Sequence, residues 1–132
     1  LVGSEMCIRD SRWGHLKSLS FAGFMSRELL YEKYAQANCL IFPSRVETWG
    51  LPISEFAEFG KPMLLADLPY AHETSAGSRL TAFFDPQRAD TLKKQMKQLI
   101  LGDTSFLEKM PQKMPAEPAT YTWKQLFDIL LR

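Results

Sequence analysis

Two glutamates, Glu47 and Glu55, stand eight positions apart on either side of Gly50. An ionised carboxylate accepts two hydrogen bonds and can hold a pair of vicinal hydroxyls, such as those of a ribose. A second carboxylate could bind the hydroxyls of a sugar, or stabilise positive charge that develops at its anomeric carbon. Two glutamates at this spacing also arise by chance, and the helix dipole alone favours a carboxylate in a first turn.

The backbone between the two glutamates is predicted to begin a helix at about Leu51. Pro52 lies in its first turn, where the missing N–H costs little, and Gly60 ends it. Free N–H groups at a helix start attract anions, and a glycine at position 50 lets a phosphate or a sugar approach the backbone closely. The alternative interpretation of Gly50 and Pro52 is ordinary helix capping without a ligand.

The elements that position this segment alternate between short apolar runs and helical periodicity. The predicted strands are residues 19–24, 39–42, 62–66 and 80–84. Four helices are predicted: one that begins after Ser26, and three more at 51–59, 92–100 and 123–131. Residues 67–76 are predicted to be a loop with room for a short helix. Residues 102–120 are predicted to be a surface connection. Such alternation predicts an α/β fold, a partial Rossmann-like parallel sheet with flanking helices. Ligands of such sheets bind beyond the carboxyl ends of the strands, and Phe42-Pro43 ends one strand just before the loop at 44–50.

The composition is that of a globular domain. The chain has 132 residues, 45% of them apolar and 23% charged, with a net charge of +1. The small net charge argues against a nucleic-acid partner. Cys7 and Cys39 have no metal-ligand spacing, and Cys39 is expected to be a buried free thiol. No apolar run suits a membrane span or a secretory signal, so the expected compartment is the cytoplasm.

The first twelve residues, LVGSEMCIRDSR, have neither helical nor strand periodicity. They resemble a translated adapter sequence, and we exclude them from the fold. The alternative is a disordered tail. The predicted domain is therefore residues 13–132, preceded by a non-native or disordered segment at 1–12.

The stretch PSRVETWGLPISEFAEFGKPMLLADLP, residues 43–69, resembles the Glu-x7-Glu signature of the family-4 retaining glycosyltransferases, which have the two-domain GT-B fold. The similarity extends in order over residues 19–132. It includes residues 21–24, 70–73 and 83–86, and Tyr-Thr-Trp at 121–123. The resemblance implies the C-terminal, donor-binding half of such an enzyme.

By that resemblance Glu47 is catalytic and contacts the donor sugar near its reacting carbon, Glu55 holds the ribose, and Phe24 lies near the base. The residues whose backbone would hold the sugar and the diphosphate are Thr48, Trp49, Gly50 and Leu51. The family needs no metal, and no other cofactor is expected. The resemblance implies transfer of a hexosyl group, with retention, from a nucleotide-diphosphate sugar to an unknown acceptor in polysaccharide or glycolipid synthesis. It also allows peripheral association with the cytoplasmic face of a membrane.

The sequence departs from the family at several places. Trp49 replaces a frequent phenylalanine and Phe56 a frequent small residue. No Arg and Lys pair for the diphosphate precedes Lys17, and no acceptor-binding N-terminal domain is present. We therefore expect a truncated fragment that is inactive without its N-terminal domain. Arg45 and Lys61 are the nearby cations, and Arg45 is expected to be a solvated loop residue.

A second hypothesis is a non-catalytic α/β module that binds a nucleotide or a partner protein. Binding of a nucleoside diphosphate without sugar transfer would favour it. His72 is expected to be an exposed loop residue rather than a base, and Phe83 and Phe84 are expected to lie in the core. The sequence does not specify the base, the sugar, the acceptor or the oligomeric state.

Overall fold

A computed structural model describes residues 13–113, 120 and 122–131 of the chain. Its internal contacts divide the chain into two units, Leu1–Gln36 and Ala37–Arg132. The predicted boundary at residues 1–12 lies outside the described residues.

The N-terminal unit contains helix α1 (Arg27–Gln36). Ser26 caps it as predicted, since the Leu29 N–H donates to Ser26 Oγ at 3.3 Å. The strand predicted at 19–24 is wrong, because these residues form no ladder with any described strand. An apolar run needs a neighbouring strand to become part of a sheet, and Leu19 and Phe21 remain about half exposed here.

The second unit is built on a three-stranded sheet of β1 (Leu40–Phe42), β2 (Met63–Ala66) and β3 (Thr81–Phe84). The order is β1-β2-β3 and both pairings are parallel. Ile41 lies opposite Leu64, which lies opposite Ala82. This confirms the predicted α/β class and three of the four predicted strands.

The central strand β2 is buried along its whole length, as a continuous apolar run predicts for a parallel sheet. On one face, Leu64 and Ala66 form a cluster with Ala82 and Phe84. The partly buried side chains that cover this cluster are Cys39, Ile41, Leu68, Leu92, Leu99, Phe106 and Leu107. The core therefore lies around β2 and the strands beside it.

Four helices follow the strands: α2 (Leu51–Ala57), α3 (Pro69–Thr74), α4 (Ala89–Ile100) and α5 (Trp123–Leu130). Helix α2 begins at the predicted residue and buries Ile53 and Phe56 completely. It contacts β1 and α3. Helix α3 is the short helix that the sequence allowed within the segment 67–76.

The segment after α4 is more than a surface connection. Glu108 and Thr81 exchange two backbone hydrogen bonds of 2.8 and 3.0 Å in an antiparallel bridge, and Met110 is buried. The edge of β3 presents polar backbone groups that need partners, which explains why this proline-containing segment lies against it. The remainder of the predicted connection, residues 114–119, lies outside the described residues.

Helix α5 begins with a capping box, in which Thr122 Oγ1 accepts from the Gln125 N–H and Gln125 Oε1 accepts from the Thr122 N–H. Its predicted apolar stripe is present, yet no side chain of α5 is buried, and Trp123 is 75% exposed. Periodicity thus predicted the helix correctly but not its packing.

Candidate functional site

The predicted site residues from Glu47 to Leu51 follow the carboxyl edge of the sheet, where all three parallel strands end, and Glu55 follows in the next helix. Residues 44–50, here called the site loop, follow β1 after Pro43 and lead directly into α2. Residues 85–88, here called the β3 loop, follow β3 at the same edge. Connections at this edge of an α/β sheet are the usual ligand-binding positions.

Glu47 and Thr48 are exposed on the site loop, and Trp49 is 54% exposed. Leu51 begins α2, and Glu55 follows one helical turn later, partly buried. The structure therefore brings the sequence-predicted residues from Glu47 to Glu55 into one continuous loop and helix start. Phe24 belongs to the other unit, where its side chain is fully exposed.

Gly50 makes the turn from the site loop into α2. Its φ of 77° lies in the left-handed region that favours glycine. A Cβ at this position would lie 3.2 Å from Ile53 Cδ1 and 3.2 Å from Tyr70 Cδ2, so a side chain would crowd these two neighbours as well as strain the backbone. Pro52 lacks an N–H and the Ile53 N–H donates to the carbonyl of Gly50 at 2.9 Å, so the first turn of α2 has few N–H groups free to bind an anion.

Helix α3 contacts both ends of the site loop. The Tyr70 hydroxyl donates to the carbonyl of Ser44 at 2.6 Å. The Thr74 hydroxyl donates to the carbonyl of Trp49. Burial, and secondly the negative charge of Glu47, raise the pKa of Tyr70 above its ordinary value. Sequence reasoning missed both contacts, because partners 25 and 26 positions apart leave no local pattern.

His72 lies on α3 rather than on a loop. Its Nε2 is 2.7 Å from Asp67 Oδ1, and its ring stacks on Phe83 with 3.8 Å between centroids. Phe83 is therefore a stacking partner for an imidazole rather than a core residue. Phe84 is buried in the core, as predicted.

Arg45 and Lys61, the two cations expected near the site, are both bonded to backbone carbonyls. Arg45 Nη2 donates to the carbonyl of Pro86 at 2.8 Å and so joins the site loop to the β3 loop. Lys61 Nζ donates to the carbonyl of Ala37 at 2.7 Å. Lys61 precedes β2 and hence lies at the amino edge of the sheet, so the expectation that it is near the site is wrong.

Other features of the chain bear on ligands and location. Within the described residues, no cluster of three or more His, Cys, Asp or Glu could hold a metal ion. Cys39 is a partly buried free thiol, and burial raises its pKa. None of the helices in the described ranges is both long and apolar enough to cross a membrane. A cavity of about 520 Å³ along β3 and α4 includes none of the predicted site residues.

Comparison with known proteins places these features in a family. Residues 13–116 match the family described as glycosyl transferases group 1. Two proteins of Escherichia coli, each named serotype-specific mannosyltransferase WbdA, are similar to 88% of the chain, at 31% identity over 117 residues and 27% over 116. The match spans only 14% of the length of those relatives. No solved structure matches the chain significantly. Since the family match covers most of the sequence, the chain belongs to the glycosyl transferases group 1 family.

Proposed function

We propose that this chain is the donor-binding region of a retaining glycosyltransferase of the GT-B type, and that it binds a nucleotide-diphosphate sugar at the site loop and the start of α2. The observation that carries the proposal is the position of the Glu47–Glu55 segment. It lies at the carboxyl edge of a parallel sheet, in a chain of the glycosyl transferases group 1 family.

In this proposal the residues keep the roles that the motif suggests. Glu47 is the catalytic residue and contacts the sugar near the anomeric carbon, where an exposed carboxylate can stabilise developing positive charge. Glu55 accepts hydrogen bonds from the ribose hydroxyls. The backbone of residues 48–51 holds the sugar and the diphosphate, and Phe24 lies near the base. The left-handed Gly50 supports this assignment, because it leaves the turn without a side chain.

Mannose is the proposed sugar, because the matched relatives are named mannosyltransferases. The proposed reaction transfers the mannosyl group with retention to an acceptor in polysaccharide or glycolipid synthesis. We further propose that no metal is required, that a larger polypeptide supplies the acceptor site, and that the enzyme works in the cytoplasm or at the cytoplasmic face of a membrane.

The proposal is tested by isothermal titration of this chain with UDP, GDP and ADP in the presence of EDTA. One of the three should bind, and Glu55→Gln should weaken that binding at least about tenfold, because a charged hydrogen-bond acceptor for the ribose is lost. Glu58→Gln is the matched control, since Glu58 is an exposed glutamate at the end of the same helix. A chain that folds but binds none of the three nucleotides contradicts the proposal.

A further inference from the structure

The site loop is attached to the rest of its unit at both ends by one short helix. Tyr70, in the first turn of α3, donates a hydrogen bond to the carbonyl of Ser44, the first residue of the loop. Thr74, the last residue of α3, donates to the carbonyl of Trp49 near the end of the loop. One rigid element thus fixes two backbone points that are five residues apart.

The Tyr70 ring adds packing to this attachment. It meets the Phe42 ring edge-to-face, with 6.4 Å between centroids, and its Cδ2 and Cε2 atoms lie 3.2 and 3.3 Å from where a Cβ on Gly50 would stand. The end of β1 and the first residue of the loop therefore contact the Tyr70 side chain, which also occupies the space beside Gly50, the last residue of the loop.

Helix α3 is itself held to the sheet. The His72 ring stacks on Phe83 of β3 and its Nε2 bonds to Asp67, which follows β2 directly. The Asp67 N–H in turn donates to the carbonyl of Phe84 at 2.9 Å, and Ala71 is completely buried. The position of α3, and of the hydroxyls it presents, is thus set by the ends of two strands.

The side chains between the two attachment points bury little surface. Val46 is 90% exposed and Glu47 is exposed as well. Within the loop, Ser44 Oγ donates to the carbonyl of Val46 at 3.2 Å, and Arg45 reaches the carbonyl of Pro86. The loop buries little else, so the two hydrogen bonds from α3 are what hold its two ends.

We infer that Tyr70 and Thr74 are positioning residues that hold the site loop, and with it Glu47, in the geometry needed to engage the donor sugar. Neither residue touches the reacting atoms. Each acts through a backbone carbonyl of the loop. The inference rests on the proposed function, and it extends the site to a helix that follows the motif by more than ten residues.

The attachment itself is tested without any ligand. In a Trp13→Phe/Trp123→Phe background, Trp49 is the single tryptophan and reports on the loop. Tyr70→Phe and Thr74→Val should each increase the fast, local component of the Trp49 fluorescence anisotropy decay, by about twofold. Both substitutions preserve side-chain size, and thermal melts followed by circular dichroism show that the variants fold. Unchanged anisotropy in both folded variants would overturn the attachment.

Two further variants separate positioning from general stability. Thr74→Ser keeps the hydroxyl and should restore the wild-type anisotropy. Thr91→Val is the control, because it also removes a threonine hydroxyl. That hydroxyl donates to the carbonyl of Arg88 at 2.7 Å and makes no hydrogen bond to the site loop, so the variant should leave the Trp49 anisotropy unchanged. An equal effect of Thr91→Val and Thr74→Val would show that the anisotropy reports only lost stability.

The link to the donor is tested by the ratio of two dissociation constants, for a nucleoside diphosphate and for its mannose ester. The probes are GDP, UDP and ADP with the corresponding mannose compounds. Tyr70→Phe and Thr74→Val should each reduce about fivefold the additional affinity that the sugar gives. This loss should exceed the loss of affinity for the nucleoside diphosphate, because the loop backbone that they hold binds both the sugar and the diphosphate. An unchanged ratio overturns the positioning role. If the wild-type chain binds no nucleotide, the proposed function fails, whereas the anisotropy experiment still decides whether α3 holds the loop.

Discussion

The site loop and the β3 loop leave the same edge of the sheet but are held in different ways. Asp85 Oδ1 accepts the Gln87 N–H at 2.8 Å, and the Arg88 N–H donates to the carbonyl of Asp85 at 3.0 Å, so the β3 loop is closed mainly by its own residues. The site loop is held mainly by distant residues: Tyr70 and Thr74 bind its two ends from more than twenty positions away, and Arg45 joins it to Pro86.

This difference shows where information about each loop lies in the sequence. An aspartate followed by a proline forms a local turn in most contexts, and the sequence places the end of β3 there correctly. The conformation of the site loop depends on the register of β1 and β2 and on where α3 packs. Because long-range contacts set the conformation of the site loop, substitutions at distant residues can move it.

The largest expected effect comes from Gly50→Ala in the site loop. The substitution forces alanine to a φ of 77° and places its Cβ against Ile53 and Tyr70, so we expect a loss of about 2 kcal/mol in the free energy of unfolding. Urea denaturation measures it. Gly60→Ala is the matched control, because its φ is 62° but no atom lies within 4 Å of the new Cβ. It should cost about 1 kcal/mol. Equal losses would show that packing against Tyr70 contributes nothing.

The β3 loop should lose stability when its local hydrogen-bond acceptor, Asp85 Oδ1, is removed. Asp85→Ala removes the oxygen that accepts from Gln87 and should lower the free energy of unfolding by about 1 kcal/mol. Asp85→Asn retains that oxygen and should be close to neutral. Thermal melts of the two variants check this, and a large loss in Asp85→Asn would indicate that the charge matters more than the hydrogen bond.

Arg45 is a direct connection between the two loops and should have a smaller effect. Arg45→Gln removes the donor to the carbonyl of Pro86, and because this contact is exposed we expect a loss of about 0.5 kcal/mol. Chemical denaturation gives the value. A loss above about 2 kcal/mol would show that the two loops form one cooperative structure.

The smallest effect is a change in titration. Burial first, and the charge of Glu47 second, raise the pKa of Tyr70. A raised pKa in the folded state contributes stability below the ordinary tyrosine value of about 10, and that contribution is lost as the pH rises through the higher value. Glu47→Gln should lower the pKa of Tyr70 towards its ordinary range without reaching it, as measured by NMR of the ring carbons. No change would mean that Glu47 does not face Tyr70.

Much of the fold was predictable because it depends on local patterns. Short apolar runs predicted β1, β2 and β3, and the spacing of Leu92 and Leu99 predicted α4. The strand proposed at 19–24 failed because the same apolar run becomes a strand only beside another strand. The exposure of the apolar stripe of α5 was not predictable for a similar reason: periodicity specifies a helix but not the surface against which it packs.

The candidate site was predictable in part. The motif located Glu47, Gly50 and Glu55 in one loop and helix start, where the structure has them. The attachment to Tyr70 and Thr74 was not predictable, because it depends on the tertiary packing of α2 against α3. The stacking of His72 on Phe83 was missed for the same reason.

The most direct test of the central claim compares Glu47→Gln with Glu55→Gln in the binding of a nucleoside diphosphate and of its mannose ester. Glu55→Gln should weaken both ligands by about tenfold or more, because both carry the ribose. Glu47→Gln should leave the nucleoside diphosphate unaffected and reduce the additional affinity due to the sugar. In the polypeptide that carries the acceptor site, it should mainly lower turnover. Equal and small effects of the two substitutions on both ligands would contradict the assignment of this segment as the donor site.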